Sequence, residues 1–338
     1  MKRKVLVLTI ALALTFALAA VMTGCGDEEK DAEKETKKIT MCLDWTPNTN
    51  HSGIYAALNK GYFKDEGLDV KVVQPPENGA ASMVASGKAE FGVDAQDTTA
   101  PAIIGKDKLP ITTVAAILQH NTSGIVSLKE KGITSPGKME GHTYATWDNP
   151  VEQAMLKQLV TEDGGDFSKV KMIPSNVTDE VSAFKKDQVD SIWIFYGWAG
   201  IACKQAGLDI NYWDFKDLNK TFDYYTPTIV ANNEFLEKDA DTAKAFMKAL
   251  SKGYTFAAEN PDEAADILIA ENEELKDSAD LVKESQKYIS KKYIDDADKW
   301  GVIDADRWNG FYQWLNDNKL VEEKLEKDAG FTNDYLPE

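Results

Sequence analysis

Residues 39–73 read ITMCLDWTPNTNHSGIYAALNKGYFKDEGLDVKVV, and their periodicity changes twice. Ile39, Met41 and Leu43 alternate onto one face, a strand pattern over 39–45. Asn48, Thr49 and Asn50 are candidate helix caps. A helix is predicted from His51 to Lys60, with Gly61 placed to stop it, and a second strand over Leu68–Val73. Strand, ten-residue helix and strand in this order predict a parallel pair. The pattern continues outward with a helix over Asn78–Ser86, closed by Gly87, and a strand over Phe91–Ala95. Apolar runs follow at Val114–Leu118 and Ile125–Leu128. Lys131–Gly141 is polar and glycine-rich, suited to a loop or a lobe crossing. A second series comprises Thr143–Trp147, a helix over Pro150–Val160, Val170–Ile173 and Ile192–Phe195, with one more short strand at Pro227–Val230. Beyond it the spacing of Ala243, Phe246, Ala249, Leu250, Tyr254 and Ala257 is helical, Pro261 can open another helix, and Arg307–Leu315 a late one. The fold class is therefore α/β, two lobes that are each a mostly parallel sheet flanked by helices. In such sheets ligands bind outside the carboxyl ends of the strands, here between the lobes.

The chain has 338 residues and a net charge of −18. Lys2-Arg3-Lys4 precedes an apolar run from Val5 to Ala20, and Val21-Met22-Thr23-Gly24 leads into Cys25. Small residues before a cysteine resemble a bacterial lipobox, with Met22 where leucine is usual. A signal peptide is predicted over 1–24, with lipidation at Cys25; an ordinary signal peptide or an uncleaved anchor is the plainer alternative. Residues 26–38, GDEEKDAEKETKK, hold no apolar anchor, so 25–38 reads as a lipidated flexible tether. The domain boundaries are then 39–125 with 226–338 for lobe 1, and 126–225 for lobe 2, the crossings near 125 and 226 serving as a hinge.

Removing the first 24 residues takes away three cations and no acid, so the net charge becomes more negative still. Such a chain repels phosphate backbones, which excludes a nucleic-acid partner. Three cysteines make no disulfide framework, and three scattered histidines no zinc site. Cys42 and Cys203 read as small core residues. No G-x-S-x-G, P-loop, G-x-G-x-x-G or H-E-x-x-H occurs, so no catalytic residue, metal or cofactor is expected. His120 and His142 have no visible partner and read as structural or exposed.

The chemistry concentrates where strands end. Asp44-Trp45-Thr46-Pro47-Asn48-Thr49-Asn50-His51 places a carboxylate, an indole, amides and an imidazole within eight residues. An indole wall beside a carboxylate suits a flat heteroaromatic with N–H donors. Trp147, Asp148 and Glu152 occupy the equivalent place in the second lobe, with Glu152 either in a capping box with Asn149 or touching ligand. Acids at that helix start disfavour sulfonate, nitrate or phosphate. In the segment 192–200, IWIFYGWAG, alternation puts Trp193 and Phe195 in the core and Tyr196 and Trp198 in the wall. Tyr225 adds a further aromatic, and Asp97 a further carboxylate.

Residues 43–70 (LDWTPNTNHSGIYAALNKGYFKDEGLDV), together with SGKAEFGV at 86–93, DSIWIFYGW at 190–198 and NNEFLEKDADTAKAFMKAL at 232–250, resemble the NMT1/THI5-like solute-binding proteins. The resemblance implies a type 2 periplasmic-binding fold that feeds an ABC importer, in the branch binding thiamin pyrimidine precursors such as hydroxymethylpyrimidine or formylaminopyrimidine. It implies that Asp44, Trp45, His51, Tyr196 and Trp198 line the pocket, with Asn48, Asp97, Trp147, Glu152 and Tyr225 as further candidates. The implied partners are an aminopyrimidine-like ligand, an ABC permease and the membrane through the lipid anchor, for an extracytoplasmic monomer. Related fungal pyrimidine synthases carry a lysine that holds pyridoxal phosphate and a nearby histidine after the third strand. Asp94 and Thr98 stand there in this chain, and Asp223-Tyr224-Tyr225-Thr226 in place of a cysteine-rich stretch, so the enzyme alternative is weak. Ala199, where pyrimidine binders often have an acid, keeps riboflavin, other heterocycles and sulfonates as alternatives.

Overall fold

The computed structural model describes residues 36–174 and 177–338. The signal segment 1–24, Cys25 and the tether up to residue 35 lie outside the described residues. Among those described, no helix is long and apolar enough to cross a membrane.

The first series runs β1 (Lys37–Cys42), α1 (Ser52–Asn59), α2 (Tyr62–Asp65), β2 (Leu68–Val73), α3 (Gly79–Ala85), β3 (Phe91–Asp94), α4 (Gln96–Ala102) and β4 (Ile111–Ala116). After a crossing at 117–122 the second series runs β5 (Ser123–Leu128), β6 (Thr143–Thr146), α5 (Pro150–Glu162), β7 (Lys171–Pro174), α6 (Glu180–Lys185), β8 (Ser191–Phe195), α7 (Ile201–Gln205), β9 (Ile210–Asp214) and α8 (Phe215–Leu218). The chain returns through 219–227 to β10 (Thr228–Asn232), α9 (Asn233–Lys238), α10 (Ala240–Glu259), α11 (Pro261–Glu271), α12 (Ala279–Ile289) and α13 (Ala305–Asp317). The sequence reading did not name β9 or the short helices α2, α4, α6, α7 and α8; a helix of fewer than two turns shows too little of a 3.6-residue period. Lys131–Gly141 joins β5 to β6 within one sheet, so it is a loop and not a crossing.

The two sheets have five strands each, in the orders β2-β1-β3-β10-β4 and β7-β6-β8-β5-β9. In the first, β1 is parallel to β2 and β3, and β10 is antiparallel to both its neighbours. In the second, β6 is parallel to β7 and β8, and β5 is antiparallel to both its neighbours. Each sheet is thus mostly parallel, with the strand that follows a crossing as its one reversed member. The first strand starts two residues inside the charged tail: Lys37 and Lys38 pair with Leu68 and Asp69 through their backbones while their side chains stay exposed. Ladder pairing asks nothing of side-chain polarity, so charge alone misplaced that boundary.

Ile39, Met41 and Leu43 enter the core beside α1 and α10, as their alternation predicts. Helices α1 and α10 meet at glycines. A Cβ on Gly53 would lie 2.2 Å from the Tyr254 ring, and one on Gly253 2.1 Å from the Gly53 carbonyl. Cys42 and Cys203 are buried, and burial pushes their thiols up to about 11 and about 12. Helix α13 sends Trp308, Phe311, Tyr312 and Leu315 into a core shared with Tyr144, Met155 and Leu159 of the second series.

Ionic contacts tie the crossings together. His120 Nδ1 lies 2.7 Å from Asp223 Oδ2, and its Nε2 lies 3.0 Å from Asp296 Oδ1. Asn121 donates its backbone N–H to Asp223 Oδ1 (3.0 Å) and its Nδ2 to the Phe222 carbonyl (2.9 Å). The Arg307 guanidinium stands 3.8 Å from Asp223. Both His120 nitrogens face carboxylate oxygens, which only accept, so the imidazolium form suits the site. The bond to Asp223 is the largest cause raising the His120 pKa. His120 therefore has partners that the sequence hid, from 103 and 176 residues away. His142 stands 3.6 Å from Asp190.

Candidate functional site

The loop after β1 faces the ends of β6 and β8 across a cavity of about 580 Å³. Asp44, Trp45, Thr46, Asn48 and Asn50 line it from the first sheet. Trp147, Trp193, Phe195 and Trp198 line it from the second, and Thr226 and Pro227 from the return crossing.

The loop is positioned by buried polar contacts. Asn48 caps a short 3₁₀ turn, its Oδ1 accepting the Asn50 N–H at 2.9 Å. Tyr254 on α10 donates to the Asn50 carbonyl (2.8 Å), and Tyr293 to that of Thr49. Ser52 donates to Gln286 Oε1 on α12 (2.6 Å), and the Thr49 and Ser285 hydroxyls meet at 2.6 Å. His51 is fully buried. Its Nδ1 accepts the Asn48 backbone N–H at 3.2 Å, so that nitrogen carries no proton. Its Nε2–H then donates to Asp44 Oδ1 at 2.7 Å. His51 does not line the cavity. It aims Asp44, leaving the second carboxylate oxygen for a ligand.

Trp45 and Trp147 are 60% and 47% exposed, far more than packed indoles. Trp147 leans on Trp193 (centroids 5.4 Å), which abuts Phe215 edge-on (4.4 Å). Trp193 therefore serves core and cavity at once, while Phe195, which alternation had put in the core, is half-buried and lines the cavity. Trp198 is half-buried and packs onto the core of the first sheet.

Other candidates fall elsewhere. Tyr196 packs between Tyr212 (4.9 Å) and Tyr288 (5.1 Å), and its hydroxyl accepts from Lys204. It is not among the lining residues, because β8 ends in a single π-helical turn, Tyr196–Gly200. In a strand i and i+2 share a face, but in a helical turn they point nearly opposite ways. Glu152 is buried and accepts from Tyr144 Oη (2.9 Å), Thr146 Oγ1 (2.8 Å) and the Trp147 backbone N–H (3.0 Å). It anchors the root of Trp147 instead of lining the cavity, and burial raises its pKa. Asn149 caps α5, accepting from Val151 N (2.8 Å), and its backbone amide is among the groups that bond the Glu152 carboxylate, as a capping box requires. Tyr225 is buried, its hydroxyl accepting the Asp304 N–H (2.8 Å) and its ring 5.2 Å from the Arg307 guanidinium. Asp97 sits on the first turn of α4 and is not among the lining residues. Burial pushes Asp97 up to about 7 and neighbouring Asp94 up to about 6. Asp94 accepts from the Ala95 N–H (2.8 Å) and from Thr98 Oγ1.

Sequence reasoning overlooked Thr178 and Glu180, which also line the cavity. The one available signal was Asp179, whose side chain accepts the Ser182 N–H as a helix cap. Among the described lining residues there is no lysine, arginine or histidine. Indoles and carboxylates in one cavity suit a planar ring that brings N–H donors; a free anion finds no countercharge among the described lining residues.

A family model described as NMT1/THI5 like matches residues 48–264. The chain is similar to the formylaminopyrimidine-binding protein of Halalkalibacterium halodurans, 26% identical over 333 residues that cover 97% of this chain and 98% of that protein. It is also similar to a 4-amino-5-hydroxymethyl-2-methylpyrimidine phosphate synthase of Saccharomyces cerevisiae, 26% identical over 249 residues, or 68% of this chain and 69% of that one. Among solved structures, the periplasmic aliphatic sulphonate binding protein of Escherichia coli superposes with a TM-score of 0.67 at 14% identity, covering 89% of this chain and 94% of that one. At that identity the likeness bears on the fold alone, which is the two-lobed periplasmic-binding-protein architecture.

Proposed function

The chain belongs to the NMT1/THI5-like family, and from that premise we propose that it is the extracytoplasmic solute-binding component of an ABC importer. Its ligand is a small flat heteroaromatic, foremost a thiamin pyrimidine precursor of the formylaminopyrimidine or hydroxymethylpyrimidine type. The observation that carries the reading is the cavity wall: exposed Trp45 and Trp147 from opposite sheets, with Asp44, held by His51, lining the same cavity. Aromatic faces bind the ring, and the carboxylate selects an exocyclic amino group. A relative of matching length that is named for binding formylaminopyrimidine supports the choice.

The synthases among the relatives raise the enzyme alternative. Pyridoxal phosphate needs a lysine to form a Schiff base. No lysine lines the described cavity, and Thr98 and Asp94 bond to each other at the positions where the resemblance to the synthases implies a histidine and a lysine. The residues present do not fit that cofactor, and the chain acts as a binder. Lipidation at Cys25 holds it to the outer face of the cell membrane, as a monomer, where it meets its permease. A diacylglyceryl cysteine at the mature N-terminus, seen by mass spectrometry, supports that anchor; an intact Met1 refutes it.

The decisive test is native mass spectrometry of the purified protein, followed by titration with formylaminopyrimidine, hydroxymethylpyrimidine, thiamin, riboflavin and taurine. A pyrimidine precursor binding tightest is the expected result. Riboflavin binding tightest would keep the aromatic walls and overturn the pyrimidine, and taurine binding tightest would overturn the electrostatic argument.

A further inference from the structure

The cavity holds a second carboxylate, from the opposite sheet to Asp44. Glu180 opens α6 and lines the cavity, half-buried. It is not needed as a cap. Asp179 does that, accepting the Ser182 N–H at 2.9 Å and the Ser182 hydroxyl at 2.6 Å. Burial raises the Glu180 pKa. The remaining influences are its own backbone amide and the like charge of Asp179, with no cation among them. Asp44 lines the same cavity from the loop after β1, and Glu180 from the start of α6. A carboxylate taken partly from water, with a backbone amide and no side-chain donor among the described residues acting on it, gains from a further donor.

We propose that Glu180 is a specificity-determining residue: it accepts a hydrogen bond from a second donor on the ligand, remote from the amino group that Asp44 takes. The inference rests on the pyrimidine reading above and extends it. The preferred ligand carries donors at two separated positions, one per lobe. Each lobe then supplies one aromatic wall and one acceptor, and a ligand with both donors bridges them. A ring with the amino group alone leaves Glu180 without a partner. The substituent at ring position 5 thereby becomes a determinant of affinity, and an N–H or O–H there is favoured over a methyl group.

The test uses two probes that share the ring and the amino group. Formylaminopyrimidine carries an amide N–H on its 5-substituent, and 4-amino-2,5-dimethylpyrimidine has only a methyl there. Isothermal titration compares the wild-type protein with Glu180→Gln, Glu180→Ala and Asp44→Asn. A hydrogen bond to a charged group corresponds to a loss of roughly 10- to 150-fold. Glu180→Ala should lose that much affinity for formylaminopyrimidine while changing the dimethyl probe by less than about twofold, with Glu180→Gln intermediate because its amide oxygen still accepts. Asp44→Asn should weaken both probes. Unchanged binding of formylaminopyrimidine by Glu180→Ala, or equal losses for both probes, overturns the role of Glu180 and leaves the pyrimidine reading standing. Failure of the wild-type protein to bind either probe overturns that reading, and this inference with it. Thermal melting of the unliganded variants checks that each is folded.

Discussion

Replacing Asp44 by asparagine removes one charge and turns one acceptor into a donor. The introduced amide can still accept the His51 Nε2–H through its oxygen, so the bond that orients the side chain survives. What changes is the oxygen facing the cavity, which becomes an NH₂ group pointed at the ligand's own donors. Losing one partner of a buried charged hydrogen bond costs about 2–5 kcal/mol. Asp44 retains 35% of its side-chain exposure, so water screens part of the interaction and the lower end applies. About 2–3 kcal/mol corresponds to roughly 30- to 150-fold in Kd. Isothermal titration at constant ionic strength should show that loss for hydroxymethylpyrimidine. For the analogue lacking the 4-amino group the change should stay within about twofold, the scale of a neutral surface substitution. The melting temperature should move little, because the buried His51–Asn48 framework is intact. An unchanged Kd, or an equal loss for both ligands, would refute the assignment of Asp44 as the selecting acceptor.

The ionic cluster at the crossings predicts a pH dependence of stability. The His120 pKa is raised in the fold, chiefly by its bond to Asp223, so its contribution is complete below the unfolded value of about 6.5 and fades as pH rises through the folded value. Urea midpoints of wild type and His120→Ala should therefore differ most near pH 6 and converge near pH 9; a gap that widens with pH would contradict the cluster's sign. At the helix contact, Gly53→Ala puts a Cβ 2.2 Å from the Tyr254 ring and should destabilise by about 1–3 kcal/mol, read from urea unfolding. A neutral result there would mean that α1 and α10 can separate without loss.

Local chemistry made much of this protein legible from its sequence. The alternation of Ile39, Met41 and Leu43, the caps at Asn48–Asn50 and the stop at Gly61, where φ is +76°, are properties of neighbouring residues, so the first β-α-β unit could be read directly. The same holds for Asp44 and Trp45, which follow a strand end and must stand where such sheets bind ligands. Whatever depends on partners distant in the chain was decided by the tertiary structure. His120 finds Asp223 and Asp296 only after the chain has crossed twice. Glu152 read as a cap or a ligand contact; Tyr144, Thr146 and Trp147 closed around it and kept it at the cap. Tyr196 and Trp198 part company because one π-helical turn replaces the period of two, and α12 supplies the Tyr288 surface that takes Tyr196. Side-chain direction along a regular element follows from periodicity. At the ends of elements, where the binding residues sit, it follows from what packs against them, and that is a property of the fold.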